Sequence, residues 1–242
     1  LYHADRPPDV VDREWHSAQR VQVLGLPVPA VVGQRRVDGR RGLMYRYMAG
    51  PTMLQQFGKT PWQVLGLTRR FAELHAAIHQ HTVADLPSQR EHYAALIRQT
   101  TAIPMTTRAA ALARLESLPD GTQLCHGDFH PDQIILTPQG PVIIDWLTAC
   151  RGNPLADVAL TALILEVGNP PAGRISGLLV RPARSIARSR YLHWYATITG
   201  ADREQLAAWQ LPIAVVRLSG NFPGEAARLL SLIGKLEAQH AV

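Results

Sequence analysis

The sequence predicts an α+β fold, with a small sheet-bearing region near the N-terminus and a mostly helical remainder. Three observations carry this. Asp38-Gly39 separates two extended runs, "AVVGQRRV" and "GLMYRYM", which is a hairpin signal. Past Gly50-Pro51, apolar residues recur mainly at helical spacing. Between Leu124 and Ala149 the pattern changes to two short apolar runs, "QIIL" and "PVIID", joined by the turn "TPQG". At 242 residues the chain fits one large domain or two small lobes and can bury a sizeable core.

Taken in order, Val10 to Leu24 reads as a helix with Asp9 as N-cap and Gly25 as its stop. "LPVPAVVGQ" then turns extended, because its prolines lack the N–H that a helix needs. The segment from Pro61 to His81 is amphipathic, with Leu65, Leu67, Phe71, Leu74, Ala77 and Ile78 on one side. Further helices are expected over Ser88 to Thr100, Thr106 to Leu118, Leu155 to Glu166, about Ile175 to Thr199, Arg203 to Leu218 and Gly224 to Gln239. No internal repeat or low-complexity tract is visible.

Composition excludes several classes. Hydrophobic residues make up 46% and charged residues 18%, and no apolar run is long enough to span a membrane. The opening residues Leu1 to Pro8 carry charges and prolines rather than an apolar signal core. Two cysteines, Cys125 and Cys150, are too few for a disulfide framework, so a reducing cytoplasm is the expected location. The net charge of +6 raises nucleic acid as a partner, but the arginines are scattered and lack interleaved aromatics, so none is expected. Arg181, Arg184, Arg188 and Arg190 repeat at helical spacing and read as an exposed basic face.

The chemistry-bearing stretch is "LCHGDFHPDQIILTPQGPVIIDW", Leu124 to Trp146. It places His126, Asp128, His130 and Gln133 on a tight loop ahead of the second hairpin, and Asp145 at the end of that hairpin's second strand. A hairpin of this length is expected to return Asp145 toward the loop, so that two carboxylates and an amide converge. Phosphoryl transfer asks for such a set: one carboxylate orients the attacking hydroxyl and accepts its proton, and the other, with an amide oxygen, holds magnesium on nucleotide phosphates. His126 and His130 also stand four apart, but a loop containing Gly127 and Pro131 is not the helix that a paired zinc motif needs. His75 and His79 share a helix face without the intervening Glu of that motif and read as core or surface histidines.

"HGDFHPDQ" resembles the H-G-D-x-H-x-x-N loop of the aminoglycoside phosphotransferases and their relatives, which share the protein-kinase-like fold, and "IDW" resembles their metal-binding element. The resemblance implies Asp128 as catalytic base, Asp145 with Gln133 as magnesium ligands, and ATP as phosphate donor. Gln133 stands where the family usually has asparagine, keeping the amide oxygen on a side chain one methylene longer. "RGNPLADVAL" is similar to a family segment whose aspartate, here Asp157, opens a helix and braces the catalytic loop. His126 and His130 are implied as structural supports of that loop. Upstream, Glu14 falls at the family's lysine-pairing glutamate, and Tyr45, Arg46, Tyr47 and Met48 fall at the hinge where backbone groups hold adenine.

On this reading residues 1–50 form an incomplete N-terminal lobe, and residues 51–242 form a helical C-terminal lobe carrying the catalytic loop and the metal hairpin. The family's glycine-rich loop and strand lysine do not stand ahead of Glu14, so the chain as given is expected to bind ATP weakly and to have little activity. From Arg151 onward there are six acidic side chains against ten basic ones, which points to a neutral or anionic hydroxyl compound as acceptor. The alternative is a non-catalytic pseudokinase or interaction module.

Overall fold

A computed structural model describes residues 8–60, 63–168 and 177–240. The opening residues as far as Pro7, the Pro61-Trp62 start of the amphipathic segment and the Ile175 start of a later helix lie outside the described residues, as does the side chain of Arg181. The fold is α+β. Contacts divide the chain into two compact units, Leu1–Gln63 with His130–Ala149, and Val64–Phe129 with Cys150–Val242.

In the first unit, helix α1 (Pro8–Gln22) presents Val11, Ala18 and Val21 as a buried stripe, with Glu14 and Ser17 on the same face. Strands β1 (Val31–Val37) and β2 (Arg40–Tyr45) pair antiparallel, Val37 opposite Arg40. Asp38 and Gly39 both adopt positive φ, 49° and 76°, the conformation of the type I′ turn that their sequence announces. A bulge between Val31 and Gly33 ends the regular register, and the ladder stops at Tyr45, earlier than the extended run reaching Met48. Asp12 and Arg41 pair between α1 and β2 (Arg41 Nη1 to Oδ2 3.1 Å).

Helix α2 (Met53–Lys59), not expected from the sequence, follows. Thr52 caps it reciprocally with Gln55: Thr52 Oγ1 accepts from Gln55 N at 3.2 Å, and Gln55 Oε1 accepts from Thr52 N at 3.1 Å. In the same unit β4 (Ile134–Thr137) and β5 (Gly140–Ile143) form the second hairpin, Ile134 opposite Ile143.

The second unit is helical. Helices α3 (Val64–His79), α4 (Gln89–Gln99), α5 (Met105–Ser117) and α6 (Pro154–Val167) correspond to expected segments, with Ser88 capping α4 and Asn153 capping α6. Helix α7 spans Gly177–Thr199. The expected helix from Arg203 to Leu218 is two, α8 (Arg203–Ala208) and α9 (Gln210–Ser219), divided at the buried Trp209. Pro212 has no N–H to offer the carbonyl of Ala208, and Arg114 Nε donates to that oxygen instead, at 3.3 Å. Helix α10 (Ala226–His240) closes the unit.

Two three-residue strands, β3 (Gln123–Cys125) and β6 (Cys150–Gly152), pair antiparallel and lead into and out of the chemistry-bearing stretch. The core consists of α4, α5, α6, α9 and α10 side chains, with Tyr93, Ile97, Leu115, Ala156, Ile213 and Leu229 among the most buried. No helix among the described residues is long and apolar enough to cross a membrane.

Candidate functional site

In the helical unit, strand β3 ends at Cys125 and delivers the His126-Gly127-Asp128 loop. Gly127 has φ of 79°, a left-handed conformation that a side chain would strain. The loop backbone is gripped by Asp157, a fully buried residue in the first turn of α6. Its Oδ2 accepts from His126 N at 2.7 Å and its Oδ1 from Gly127 N at 3.0 Å. Oδ2 also meets His75 Nε2 at 3.1 Å and His79 Nε2 at 3.3 Å. Each histidine in turn meets a tyrosine through Nδ1, His75 with Tyr191 and His79 with Tyr195, both at 2.7 Å. The 75/79 spacing on α3 and the 191/195 spacing on α7 are both one helical turn, which is why the pairs meet in register.

Burial pushes the Asp157 carboxyl up, but the hydrogen bonds from His75 and His79 outweigh it and hold the group well below the usual carboxylate range. Burial, then the neighbouring His79, drives His75 down to about 3. An ionised Asp157 that accepts from both Nε2–H groups, with each Nδ1 accepting from its tyrosine hydroxyl, satisfies every one of these contacts. The ligand-capable atoms of His75, His79 and Asp157 lie within 4.8 Å of one another, and this hydrogen-bonded arrangement accounts for them without a metal.

Asp128, further along the loop, is partly exposed. Its Oδ1 lies 3.7 Å from Nη1 of Arg217 on α9, a nearly buried guanidinium. Glu225 holds Arg217 in a bidentate pair, Nε to Oε2 2.8 Å and Nη2 to Oε1 3.0 Å.

In the other unit, His130 caps a single 3-10 turn (Pro131–Gln133), its Nδ1 accepting from Asp132 N at 3.3 Å. Asp132 Oδ1 in turn accepts from Thr52 Oγ1 at 2.6 Å. Gln133 follows, and the β4–β5 hairpin sets it beside Asp145: Ile144 N donates to Gln133 O at 2.9 Å and Gln133 Nε2 to Asp145 Oδ2 at 3.0 Å. Asp145 has φ of 63°, an uncommon conformation for a non-glycine residue. A carboxylate oxygen and, once the amide turns to bring Oε1 round in place of Nε2, a carboxamide oxygen are the donors that a hard cation such as magnesium takes.

Asp145 also lines a cavity of about 430 Å³ together with Glu14, Tyr45, Arg46, Tyr47, Met48 and Trp146. Val21, Val28, Ile135 and Ile144 supply its apolar walls. Tyr45 Oη donates to Glu14 Oε1 at 2.7 Å. Burial raises the Glu14 carboxyl, against the opposing effect of that hydrogen bond, and burial together with Glu14 raises the Tyr45 phenol.

Residues 1–209 match the phosphotransferase enzyme family. The chain belongs to that family. It is similar to the aminoglycoside 3'-phosphotransferase of Streptomyces fradiae, 28% identical over 218 residues that cover 81% of this chain and 76% of the relative. Among solved structures, it is similar to a thermostable mutant of aminoglycoside phosphotransferase APH(4)-Ia in ternary complex with AMP-PNP and hygromycin B, with a TM-score of 0.65 at 19% identity over 94% of this chain and 81% of that one. The amicoumacin kinase hAmiN, in complex with AMP-PNP, Ca2+ and Ami, gives a TM-score of 0.58 at 15% identity over 97% of this chain and 79% of that one. At these identities the structural likenesses establish the fold.

Within the phosphotransferase framework, the residues selected from sequence separate by unit. Glu14, Tyr45 to Met48, His130, Gln133 and Asp145 belong to the sheet-bearing unit; His126, Asp128 and Asp157 belong to the helical one. Sequence reasoning missed Arg217, Glu225, Tyr191 and Tyr195. The paired one-turn spacings signal the tyrosines, whereas the Arg217–Glu225 pair has no sequence signature. His75 and His79, read as ordinary core or surface histidines, are core residues that serve the loop through Asp157.

Proposed function

We propose that this member of the phosphotransferase family transfers the γ-phosphate of ATP to a hydroxyl group of a small molecule. Asp128 orients the acceptor hydroxyl and takes its proton as the new O–P bond forms and the bond to the β-phosphate oxygen breaks, releasing ADP. Asp145 and Gln133 would hold magnesium, which would supply positive charge to offset that of the nucleotide phosphates. Tyr45 to Met48 hold the adenine end of the nucleotide, and Glu14 lines the same cavity. Asp157 fixes the backbone of His126 and Gly127, so Asp128 starts from an ordered loop.

The observation that carries this reading is the 430 Å³ cavity, in which Glu14, the Tyr45–Met48 segment and Asp145, three separate stretches of sequence, meet. Its size lies within the range of small-molecule sites, and its walls are mainly apolar with a few polar groups. The AMP-PNP complexes of APH(4)-Ia and hAmiN support ATP as donor. The excess of basic over acidic side chains past Arg151 favours a neutral or anionic acceptor.

Label transfer from γ-labelled ATP tests the reading, with Asp128→Asn and Asp145→Asn as controls. Transfer that both substitutions abolish while the fold persists supports it; transfer that survives Asp128→Asn sinks it. A second reading, a nucleotide-binding module without catalysis, is favoured by one contact. The Glu14 carboxylate that would pair with a lysine accepts instead from Tyr45. Nucleotide binding by calorimetry without any label transfer would select this second reading.

A further inference from the structure

The guanidinium of Arg217 is fixed along one edge and on one face. Glu225, itself buried, takes Nε and one Nη2 donor. The ring of Phe222 lies against the guanidinium face, 3.5 Å from Cζ to the centroid, and stays partly exposed on its other side. Gly220 permits this placement, because a Cβ there would come within 2.3 Å of the Phe222 ring. The Nη1 end of the fork lies 3.7 Å from Asp128 Oδ1. That distance is within ion-pair range but beyond hydrogen-bond length. Held this way, Arg217 is an oriented donor edge beside the proposed base, with little rotamer freedom left to lose on binding.

We propose that Arg217 is a specificity-determining contact for the acceptor: its Nη1 edge binds an oxygen substituent adjacent to the hydroxyl that Asp128 engages, and it disfavours an ammonium group at that place. The inference rests on Asp128 being the base. The recognised chemistry is an oxygen acceptor, whether from a hydroxyl, a carboxylate or a phosphate. Glu225 offsets the positive charge of Arg217 at a distance, so the selection does not depend on net charge. At contact the guanidinium offers only donors, and so does an ammonium, so no hydrogen bond forms between them. An oxygen substituent accepts one or two charge-assisted bonds in the same position.

The test compares label transfer from MgATP to three acceptor sets: neutral polyols (myo-inositol, glucose), polyol acids (gluconate, glucuronate), and ammonium-bearing aminocyclitols (2-deoxystreptamine, hygromycin B). The wild-type chain is expected to use members of the first two sets in preference to the third. Removing Glu225's partner alone would leave a buried charge, so the main variant is the paired Arg217→Met/Glu225→Met. It is expected to lose about tenfold in kcat/KM for the oxygen-bearing acceptors, chiefly through KM, and to keep any transfer to aminocyclitols. Arg217→Lys, which retains charge and donors but not the fork, serves if the double variant does not fold, and is expected to lose part of the same preference.

Preferred transfer to aminocyclitols by the wild type, no transfer to any oxygen-bearing acceptor, or a uniform loss across all sets in the variants would each overturn the proposal. Asp128→Asn separates the two layers. If it leaves transfer intact, the reading of the base fails; if it abolishes transfer while Arg217 variants leave the preference unchanged, only the specificity assignment fails.

Discussion

The Asp157 carboxylate holds the backbone of His126, with Oδ2 2.7 Å from its N–H, while Oδ1 takes the next N–H, that of Gly127, at 3.0 Å. A loop that turns through a left-handed glycine leaves its amide groups unpaired unless something supplies acceptors. Here one buried carboxylate supplies both, and its charge is stabilised in turn by His75 and His79. Loop order therefore depends on a side chain about thirty positions away, and on the helices α3 and α7 behind it.

Asp157→Ala is expected to destabilise the protein by about 3–5 kcal/mol, the usual effect of removing one partner from a buried charged network. Urea unfolding followed by circular dichroism measures this. A loss below about 1 kcal/mol would show that the loop is held by other means.

Substituting either tyrosine by phenylalanine isolates the outer arm. In Tyr195→Phe the ring still packs, but His79 Nδ1 loses the hydroxyl at 2.7 Å. An acceptor left unpaired in the interior costs about 1–3 kcal/mol. The same applies to Tyr191→Phe and His75. Unfolding midpoints of the single and double variants would show whether the two arms act independently, in which case their losses add.

Acid sensitivity follows from the same network. His75 has a folded-state value depressed to about 3, against about 6.5 in an unfolded chain. Between those values the unfolded chain holds a proton that the folded one does not. The contribution of His75 is thus fully present above about pH 6.5 and declines as pH falls toward 3, by roughly 1.4 kcal/mol per pH unit for one proton. Asp157, depressed as well, extends the loss below the ordinary carboxylate range. Unfolding free energies at pH 7, 5.5 and 4.5 should fall in that order, and His75→Gln should flatten the slope.

Glu14 carries the opposite sign. Burial raises its carboxyl, so its contribution to stability is largest when it is protonated and falls as pH rises through its folded value. Glu14→Gln keeps an oxygen for the Tyr45 hydroxyl and removes the charge. Its thermal midpoint relative to wild type should therefore improve from pH 4 to pH 8, a trend that differential scanning fluorimetry resolves.

Much of this architecture was legible in local chemistry. Asp38-Gly39 adopts the two positive φ angles that its sequence announces, and Ser88 caps α4 at the expected boundary. Helix α2 carried its own signal, Thr52 three residues ahead of Gln55, but its seven residues are too few for a convincing apolar period. Strands β3 and β6 have three residues each and no alternation to read. The Gln133–Asp145 contact was anticipated from the length of the hairpin. The Arg217–Glu225 pair was not, because nothing in a helix end and the loop after it says which charge an arginine will meet once both are buried.

Asp145 separates conformational strain from charge. Its φ of 63° suits asparagine nearly as well as aspartate, since short polar side chains tolerate the left-handed region. Asp145→Asn should leave stability within about 0.5 kcal/mol of wild type, whereas Asp145→Ala, whose methyl group gains nothing there, should lose roughly 1–2 kcal/mol. Both remove the carboxylate beside Gln133 and should abolish magnesium-dependent label transfer. Gln133→Ala leaves that carboxylate in place and should raise the magnesium concentration needed for half-maximal rate without abolishing transfer. Equal stability of the Asn and Ala variants would show that the backbone at 145 is not strained, and full transfer by Asp145→Asn would show that the metal is held elsewhere.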